Sequence, residues 1–149
     1  PPLAHSVQIR ERYGYDIFKM LMDAGCDYNK AARDERTASY MKVGKLNEGN
    51  TPLMIACWHG KKKFVYALCE QEEISINQQD SNGYTALMKC AVQRHNRKKK
   101  GLPAGLNEEL YNYLVEQGAD IRIRDRNNHT AKDWWNRGDD LSYKENEIW

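Results

Sequence analysis

The chain has 149 residues, of which 40% are hydrophobic and 30% are charged, and its formal net charge is +2. This length fits one domain with a real hydrophobic core, and no stretch approaches the roughly 18 apolar residues needed to cross a bilayer. Because the net charge is small, an electrostatically attracted partner would have to recognise local clusters of charge.

The N-terminal residues and the cysteines bear on where the protein works. The chain starts at Pro1, without an initiator Met or a secretory signal, so we expect the natural protein to be longer. None of the four cysteines has a CxxC or zinc-finger spacing, and three fall where the repeat described below needs a small or apolar residue. We therefore predict reduced thiols, no metal, no cofactor, and an intracellular location, cytoplasmic or nuclear.

A degenerate first unit is predicted over residues about 1–29. Apolar residues recur at helical spacing over 16–22, which predicts a helix. The weakly patterned segment 4–12 would supply an earlier helix of the same unit, and residues 23–29 resemble the ends of the later units.

Three further units follow, because the chain repeats itself. Residues 49–57 and 83–91 are similar and lie 34 positions apart, and a third copy starts at residue 125. Later in the second and third units, apolar residues recur at helical spacing, so each unit is predicted to be helix, turn, helix. The predicted units cover about 46–79, 80–124 and 125–149.

Two fragments carry a resemblance to the ankyrin-repeat family. Residues 51–53 read Thr-Pro-Leu and residues 118–120 read Gly-Ala-Asp, which match the family signature and its period near 33. The resemblance covers most of residues 14–135 and implies an all-α solenoid of about four helix–turn–helix units with hairpin loops and a truncated C-terminal capping unit. Asn128 replaces the family's Gly before the last Thr, and Asn also favours a positive-φ turn.

The residues at the helix starts and in the predicted core agree with this architecture. Thr51 and Thr85 can cap the first helix of their units, and a proline in the first turn costs no hydrogen bond. At least one of Trp134 and Trp135 should close the end of the core, since terminal repeats must be capped. Small residues should let the paired helices approach closely, namely Ala56, Cys57, Cys90 and Ala91.

Two insertions do not fit the repeat. Residues about 30–45 would enlarge one finger loop, and residues about 94–107 would extend the turn between the two helices of the third unit. Insertions in stacked repeats emerge as loops from one face and often bind partners.

A basic edge is predicted where the inter-helix turns of two units come together. It comprises Lys61, Lys62, Lys63, Arg94, Arg97, Lys98, Lys99 and Lys100. The edge could bind an acidic protein segment, a phosphorylated group, nucleic-acid phosphates or an anionic membrane surface. The other interpretation is a solvated lysine-rich loop, because runs of charged residues are usually solvated. No aromatic residues interleave with it, so sequence-specific nucleic-acid recognition is not expected.

The family's usual binding surface is the concave one, formed by hairpin tips and the exposed side of the first helices. We expect Trp58 and Tyr84 to be its anchors, because aromatic side chains often dominate binding energy. Trp58 could instead pack against a neighbouring helix or the first insertion. The implied positions are Asn47, Glu48, Asn50, Trp58, His59, Gln79, Ser81, Asn82, Tyr84, Val92, Gln93, Arg124, Arg126, Asn127 and His129.

No catalytic pattern accompanies the repeats. The four histidines lie in separate units or loops, and HExxH, GxSxG and phosphate-loop motifs are absent from the sequence. We predict a non-enzymatic, monomeric adaptor or scaffold that binds another protein or peptide. Two alternatives are that the array targets a larger multidomain enzyme or effector, and that the basic edge binds phosphate, nucleic acid or an anionic membrane.

Overall fold

The computed structural model describes residues 3, 11–31 and 49–139, and the side chains of residues 3, 14–31 and 49–137. Besides the helical residue Leu3, six helices have defined bounds in these ranges. They are α1 (Glu11–Asp23), α2 (Pro52–Trp58), α3 (Lys62–Cys69), α4 (Ala86–Lys99), α5 (Gly105–Glu116) and α6 (Ala131–Asp139).

The helices form a stack of helix–turn–helix units. α2 pairs with α3 and α4 pairs with α5, while α2, α4 and α6 pack side by side as the first helices of successive units. The predicted all-α solenoid is therefore confirmed for the described residues. α1 includes the helix predicted over 16–22, whereas 4–10 and most of the insertion at 30–45 lie outside the described residues.

Threonine side chains cap the first helices, as the sequence predicts. The hydroxyl oxygens of Thr51 and Thr85 each accept a hydrogen bond, at 3.3 Å, from the backbone N–H three residues later. At α6 the cap is reciprocal: Thr130 Oγ1 accepts from Asp133 N at 3.2 Å, and Thr130 N donates to the Asp133 carboxylate at 2.8 Å. These bonds satisfy N–H groups that have no partner within the helix.

The hairpins between units are built on buried aspartates. Asp80 Oδ1 accepts from the backbone N–H groups of Asn82, at 2.9 Å, and Tyr84, at 2.8 Å. Asp125 Oδ1 receives the equivalent pair of bonds one unit later. One carboxylate oxygen thus fixes each hairpin turn.

Asn128 and Gly83 are two of the turn residues with positive φ, a backbone conformation that residues with a side chain rarely adopt. Asn128 has φ 66°, which confirms the expectation that it stands in for a glycine. Gly83 has φ +79°, and a Cβ there would lie 3.0 Å from Arg126 N and 3.0 Å from Asp125 Cα. Adjacent hairpins therefore touch backbone to backbone at Gly83.

Asparagine side chains tie the opposite ends of the units together. Asn29 Oδ1 accepts from Ser75 N at 2.8 Å, and its amide donates to Glu73 O at 2.8 Å. Asn77 Oδ1 accepts from Asp120 N at 2.8 Å in the next unit. The same bond therefore recurs between successive units.

The core runs continuously through the units and contains the predicted small residues. Burial, together with a hydrogen bond to Cys90, raises the pKa of the Cys57 thiol well above its ordinary value, and burial raises that of Cys69 to about 12. These thiols are therefore neutral packing groups. The fully buried side chains include Phe18, Leu53, Ile55, Ala56, Cys57, Leu68, Leu87, Cys90, Ala91, Leu110, Leu114 and Trp134.

The insertion at 94–107 differs from the predicted loop. α4 has 14 residues, against 7 in α2, so most of the inserted residues before Lys100 extend a helix. Arg94 Nη1 donates to Trp135 O at 2.8 Å, and its guanidinium lies 4.0 Å from the Trp135 ring centroid. His95 Nδ1 is 2.8 Å from Arg137 O. The next unit therefore supplies the contacts that hold the extra turns.

Candidate functional site

The hairpins form a row whose neighbours are bonded to each other. Gln79 Nε2 donates to Gly83 O at 2.9 Å and to Arg124 O of the next hairpin at 3.0 Å. Arg126 N donates to Asn82 O at 3.0 Å. We call this row, residues 79–84 and 124–129, the hairpin rim. Several of its predicted binding residues are exposed, namely Gln79, Ser81, Arg124, Arg126 and Asn127, and two are half-buried, namely Asn82 and His129.

Three of the predicted contact residues lie in the interior instead. Tyr84 is 4% exposed, Val92 is 0% exposed and Asn50 is 3% exposed. The Tyr84 ring centroid lies 5.9 Å from that of Trp134. The expectation that Tyr84 anchors a partner is therefore wrong in its placement, because this ring fills the gap between two units.

Trp58 lies between the surface and the core, at the C-terminal end of α2. It is half-buried, its carbonyl accepts from Gln93 Nε2 at 2.9 Å, and Lys89 Nζ lies 5.8 Å from its ring centroid. The neighbouring His59 is exposed. Asn47 and Glu48 lie outside the described residues.

A buried ion pair lies beneath these side chains. Lys89 Nζ is 2.8 Å from Asp80 Oδ2, and both side chains are almost fully buried, at 2% and 0% exposure. Lys89 Nζ also lies 5.0 Å from the Tyr84 ring centroid. Burial lowers the pKa of Lys89, and Asp80 opposes that shift. Lys89 was missed by sequence reasoning, since it stands within a helix whose other buried positions are mostly apolar.

The last unit uses the same geometry with a different donor. Trp134 Nε1 donates to Asp125 Oδ2 at 2.8 Å, and Trp134 is 1% exposed. Trp134 follows Asp125 by nine residues, as Lys89 follows Asp80. In both units the side chain at this helix position therefore contacts the hairpin aspartate. The expectation that one of the paired tryptophans closes the core is confirmed.

The predicted basic edge divides into residues with different roles. Arg94 is 4% exposed and its Nε lies 2.9 Å from Glu108, so it is a core residue and not an exposed cation. Lys62 pairs with Glu109, which raises the pKa of Lys62, but the pair is solvated and worth little. Lys63 and Lys100 are exposed, while Lys61, Arg97, Lys98 and Lys99 are half-buried.

A groove of ≈ 330 Å³ is lined by residues of both predicted surfaces, the concave surface and the basic edge. It runs between the turn after α2 and the first turn of α5, and sequence reasoning missed its α5 side. We call it the edge groove. It is lined by Trp58, His59, Gly60, Gln93, Arg97, Pro103, Gly105, Leu106 and Asn107.

Two further observations concern the described residues. No group of three or more His, Cys, Asp or Glu side chains among them is arranged to hold a metal ion. No described helix is long and apolar enough to span a membrane.

The repeat geometry agrees with comparison to known proteins. A family model described as ankyrin repeats in three copies matches residues 3–125. The chain belongs to the ankyrin-repeat family. The rat protein "Ankyrin repeat and SAM domain-containing protein 6" is 34% identical over 119 residues, which are 79% of this chain and 12% of that protein. The chain thus spans a small part of this relative.

Solved structures share the fold. The ankyrin-repeat protein EF0377 has a TM-score of 0.57 and 27% identity, covering 95% of this chain and 77% of that one. A chain from the complex of the Bdellovibrio bacteriovorus predatory endopeptidase Bd0816 with immunity protein Bd3460 has a TM-score of 0.61 and 21% identity, covering 94% and 56%. Ankyrin repeats are protein–protein interaction modules and generally have no catalytic role.

Proposed function

We propose that this ankyrin-repeat chain is an adaptor or scaffold module that binds a partner protein through the hairpin rim and the adjoining surface at Trp58 and Gln93. The observation that carries the proposal is the bonding between neighbouring hairpins through Gln79 and Arg126. It holds exposed side chains on a rigid frame.

Rigidity matters because association costs the freedom of every group that it orders. The backbone of the rim is already fixed by Asp80 and Asp125, so binding would order little beyond the exposed side chains. Arg126 and Asn127 are exposed on one hairpin and Ser81 on the one before it. The rim therefore offers adjacent polar contacts from two units.

Trp58 supplies the aromatic part of this surface. Lys89 Nζ lies against its half-buried ring, and its backbone carbonyl accepts a hydrogen bond from Gln93. An aromatic ring with few rotamers loses little entropy on binding. With Tyr84 in the core, Trp58 is the aromatic side chain among the predicted contacts that a partner could reach.

The proposal is tested by site-specific photocross-linking in cell extract. A photoreactive phenylalanine analogue placed at Ser81 or Asn127 should capture one defined protein, and Arg126→Glu should reduce that capture. Matched controls carry the analogue at Asn112 or Glu116, which are exposed on α5, the second helix of its unit. Equal capture from α5, or no capture from the rim, would contradict the proposed surface.

A second candidate function rests on the exposed cations Lys63 and Lys100. They could bind phosphates of nucleic acid, of a phosphoprotein or of an anionic membrane. Phosphate contacts release counterions, so each would contribute a slope of roughly −0.7 to −0.9 to log K against log salt. A salt-independent partner affinity would exclude this candidate.

The module can also be a targeting part of a larger protein. The matched rat relative extends well beyond the aligned segment, since this chain covers 12% of it. An activity of such a larger protein would lie outside the repeats. Capture experiments with the full natural chain and with the repeats alone would show whether the same partner is retained.

A further inference from the structure

The edge groove has unpaired backbone donors along one wall. α5 starts at Gly105, and its N-cap residue, Ala104, makes no side-chain capping bond. The first N–H of this turn with a partner is that of Glu108, which donates to Ala104 O at 3.1 Å. The N–H groups of residues 105–107 bond to no described residue. Such a helix start favours an anion, through its free donors and its dipole.

A buried amide beside these donors is a second and independent sign of a ligand. Asn107 is 4% exposed and lines the groove, yet its side chain bonds to no described residue. Its amide atoms are not among the fully enclosed polar atoms that lack a hydrogen bond, so the small exposed part of the residue includes the amide, which is open to the groove. The Asn107 amide therefore has donors to offer to a group that enters the groove.

The positive charge of the groove comes from the end of α4. Arg97 lines it, and Arg97 Nε donates to Pro103 O at 2.5 Å, which fixes the guanidinium at the groove. The last turn of α4 also carries Lys98 and Lys99. Glu108, the acidic residue in the first turn of α5, is held by Arg94 at 2.9 Å. The groove is thus complementary to negative charge.

The other walls of the groove are apolar. Leu106 is 42% exposed, and its Cδ2 approaches to 3.1 Å from where a Cβ on Gly60 would lie. Trp58 lines the groove close by. The volume of ≈ 330 Å³ is many times the roughly 10–15 Å³ that one water molecule needs on the same measure. This is more room than a single carboxylate needs, so the shape fits an acidic group together with an apolar side chain.

We propose that the edge groove binds an acidic peptide segment of a partner protein, with one carboxylate on the first turn of α5, Asn107 and Arg97. The neighbouring apolar side chain of that segment packs on Leu106 and Trp58. The inference rests on the proposed protein-binding function, since the carboxylate belongs to a protein. Trp58 and Gln93 belong to both surfaces, whereas Arg97 lines only the groove and Arg126 lies only on the rim, so variants of these two arginines test the surfaces separately.

The test is an NMR titration of the full chain with the peptide acetyl-Glu-Leu-Glu-Leu-amide. The backbone amides of residues 105–107 and the Trp58 indole N–H should shift together along one saturable curve. The neutral peptide acetyl-Gln-Leu-Gln-Leu-amide should bind at least about tenfold more weakly, which is the factor for losing one charge-assisted bond of about 1.4 kcal/mol.

Two variants separate the groove from general attraction to lysines. Arg97→Gln should lower the affinity for the acidic peptide by about tenfold. Lys100→Gln removes an exposed charge outside the groove and should change that affinity by less than about twofold. Asn107→Leu keeps the number and branching of the side-chain heavy atoms, removes the amide, and should also weaken binding. Thermal unfolding of each variant checks that the fold is intact.

Three results would overturn the inference. Equal binding of the two peptides would show that the carboxylate is not recognised. Equal effects of Arg97→Gln and Lys100→Gln would show diffuse electrostatics. Saturable shifts with inorganic phosphate but none with the acidic peptide would assign the groove to a phosphorylated ligand. A rim variant such as Arg126→Glu should leave the peptide titration unchanged, so failure of the rim proposal would be seen independently.

Discussion

Replacing Lys89 by Met tests the buried ion pair that supports the surface at Trp58. The Lys89 side chain is 2% exposed and its Nζ lies 2.8 Å from Asp80 Oδ2. Met fills much of the volume of the lysine stem, so the main loss is the counter-charge of Asp80. Removing one partner of a buried pair costs about 3–5 kcal/mol, since the other charge is left uncompensated.

A cost of about 3 kcal/mol should lower the melting temperature by roughly 6–12 °C for a chain of this size. The double variant Asp80→Asn/Lys89→Met should regain most of this stability. Asn keeps an oxygen that can accept from the N–H groups of Asn82 and Tyr84, and replacing both charges is often nearly neutral. A double-mutant cycle should therefore give a coupling of about 2 kcal/mol.

The assay is urea unfolding followed by circular dichroism, with thermal melts as a check. Lys62→Met is the matched control, because Lys62 pairs with Glu109 at the solvated surface and its replacement should leave the stability nearly unchanged. If Lys89→Met costs under about 1 kcal/mol, or if the two single losses simply add, the buried pair does not stabilise the fold as reasoned.

Three further predictions concern a turn, a cap and the thiols. Gly83→Ala should cost at least about 2 kcal/mol in urea unfolding, because its Cβ would meet the next hairpin, whereas Gly101→Ala meets nothing within 4 Å and should cost about 1 kcal/mol for its positive φ alone. Asp133→Asn should cost about 0.5 kcal/mol at pH 7, because it removes a negative charge from the first turn of the helix. The bond to Thr130 N lowers the pKa of Asp133, so the capping contribution is present above the unfolded pKa and is lost as the pH falls through the folded one; a cost that persists undiminished at pH 2 would contradict this role. In thiol labelling, the half-buried Cys26 should react in the native protein and the three buried cysteines only after unfolding; rapid labelling of all four would contradict the described core.

Local chemistry explains what could be predicted from the sequence. Thr51 and Thr85 cap helices through bonds to residues three positions away, and Asn128 adopts the positive φ of a turn within its own hairpin. The helix over 16–22 was readable because apolar spacing reports which face is buried. Repetition then supplied the architecture, since a unit that cannot bury its own face must stack on a copy of itself.

Only the tertiary structure decided which side chains reach a partner. Tyr84 has the residue type of an anchor, but it packs between units against Trp134. Arg94 reads as one more surface cation, but its guanidinium binds Trp135, 41 positions along the chain. Burial and pairing of this kind depend on contacts between units, which the spacing within one unit does not report.

The edge groove shows the same division between local pattern and packing. The basic run ending at Lys100 was visible in the sequence, but the inserted residues before it form helix because the next unit packs against them. That extension, followed by a short turn, brings the start of α5 opposite Gly60 and Trp58. The sequence by itself determined a stack of repeats with a basic insertion. Packing between units decided that the insertion forms one wall of a groove, because only there do an uncapped helix start, a buried Asn107 and Arg97 meet.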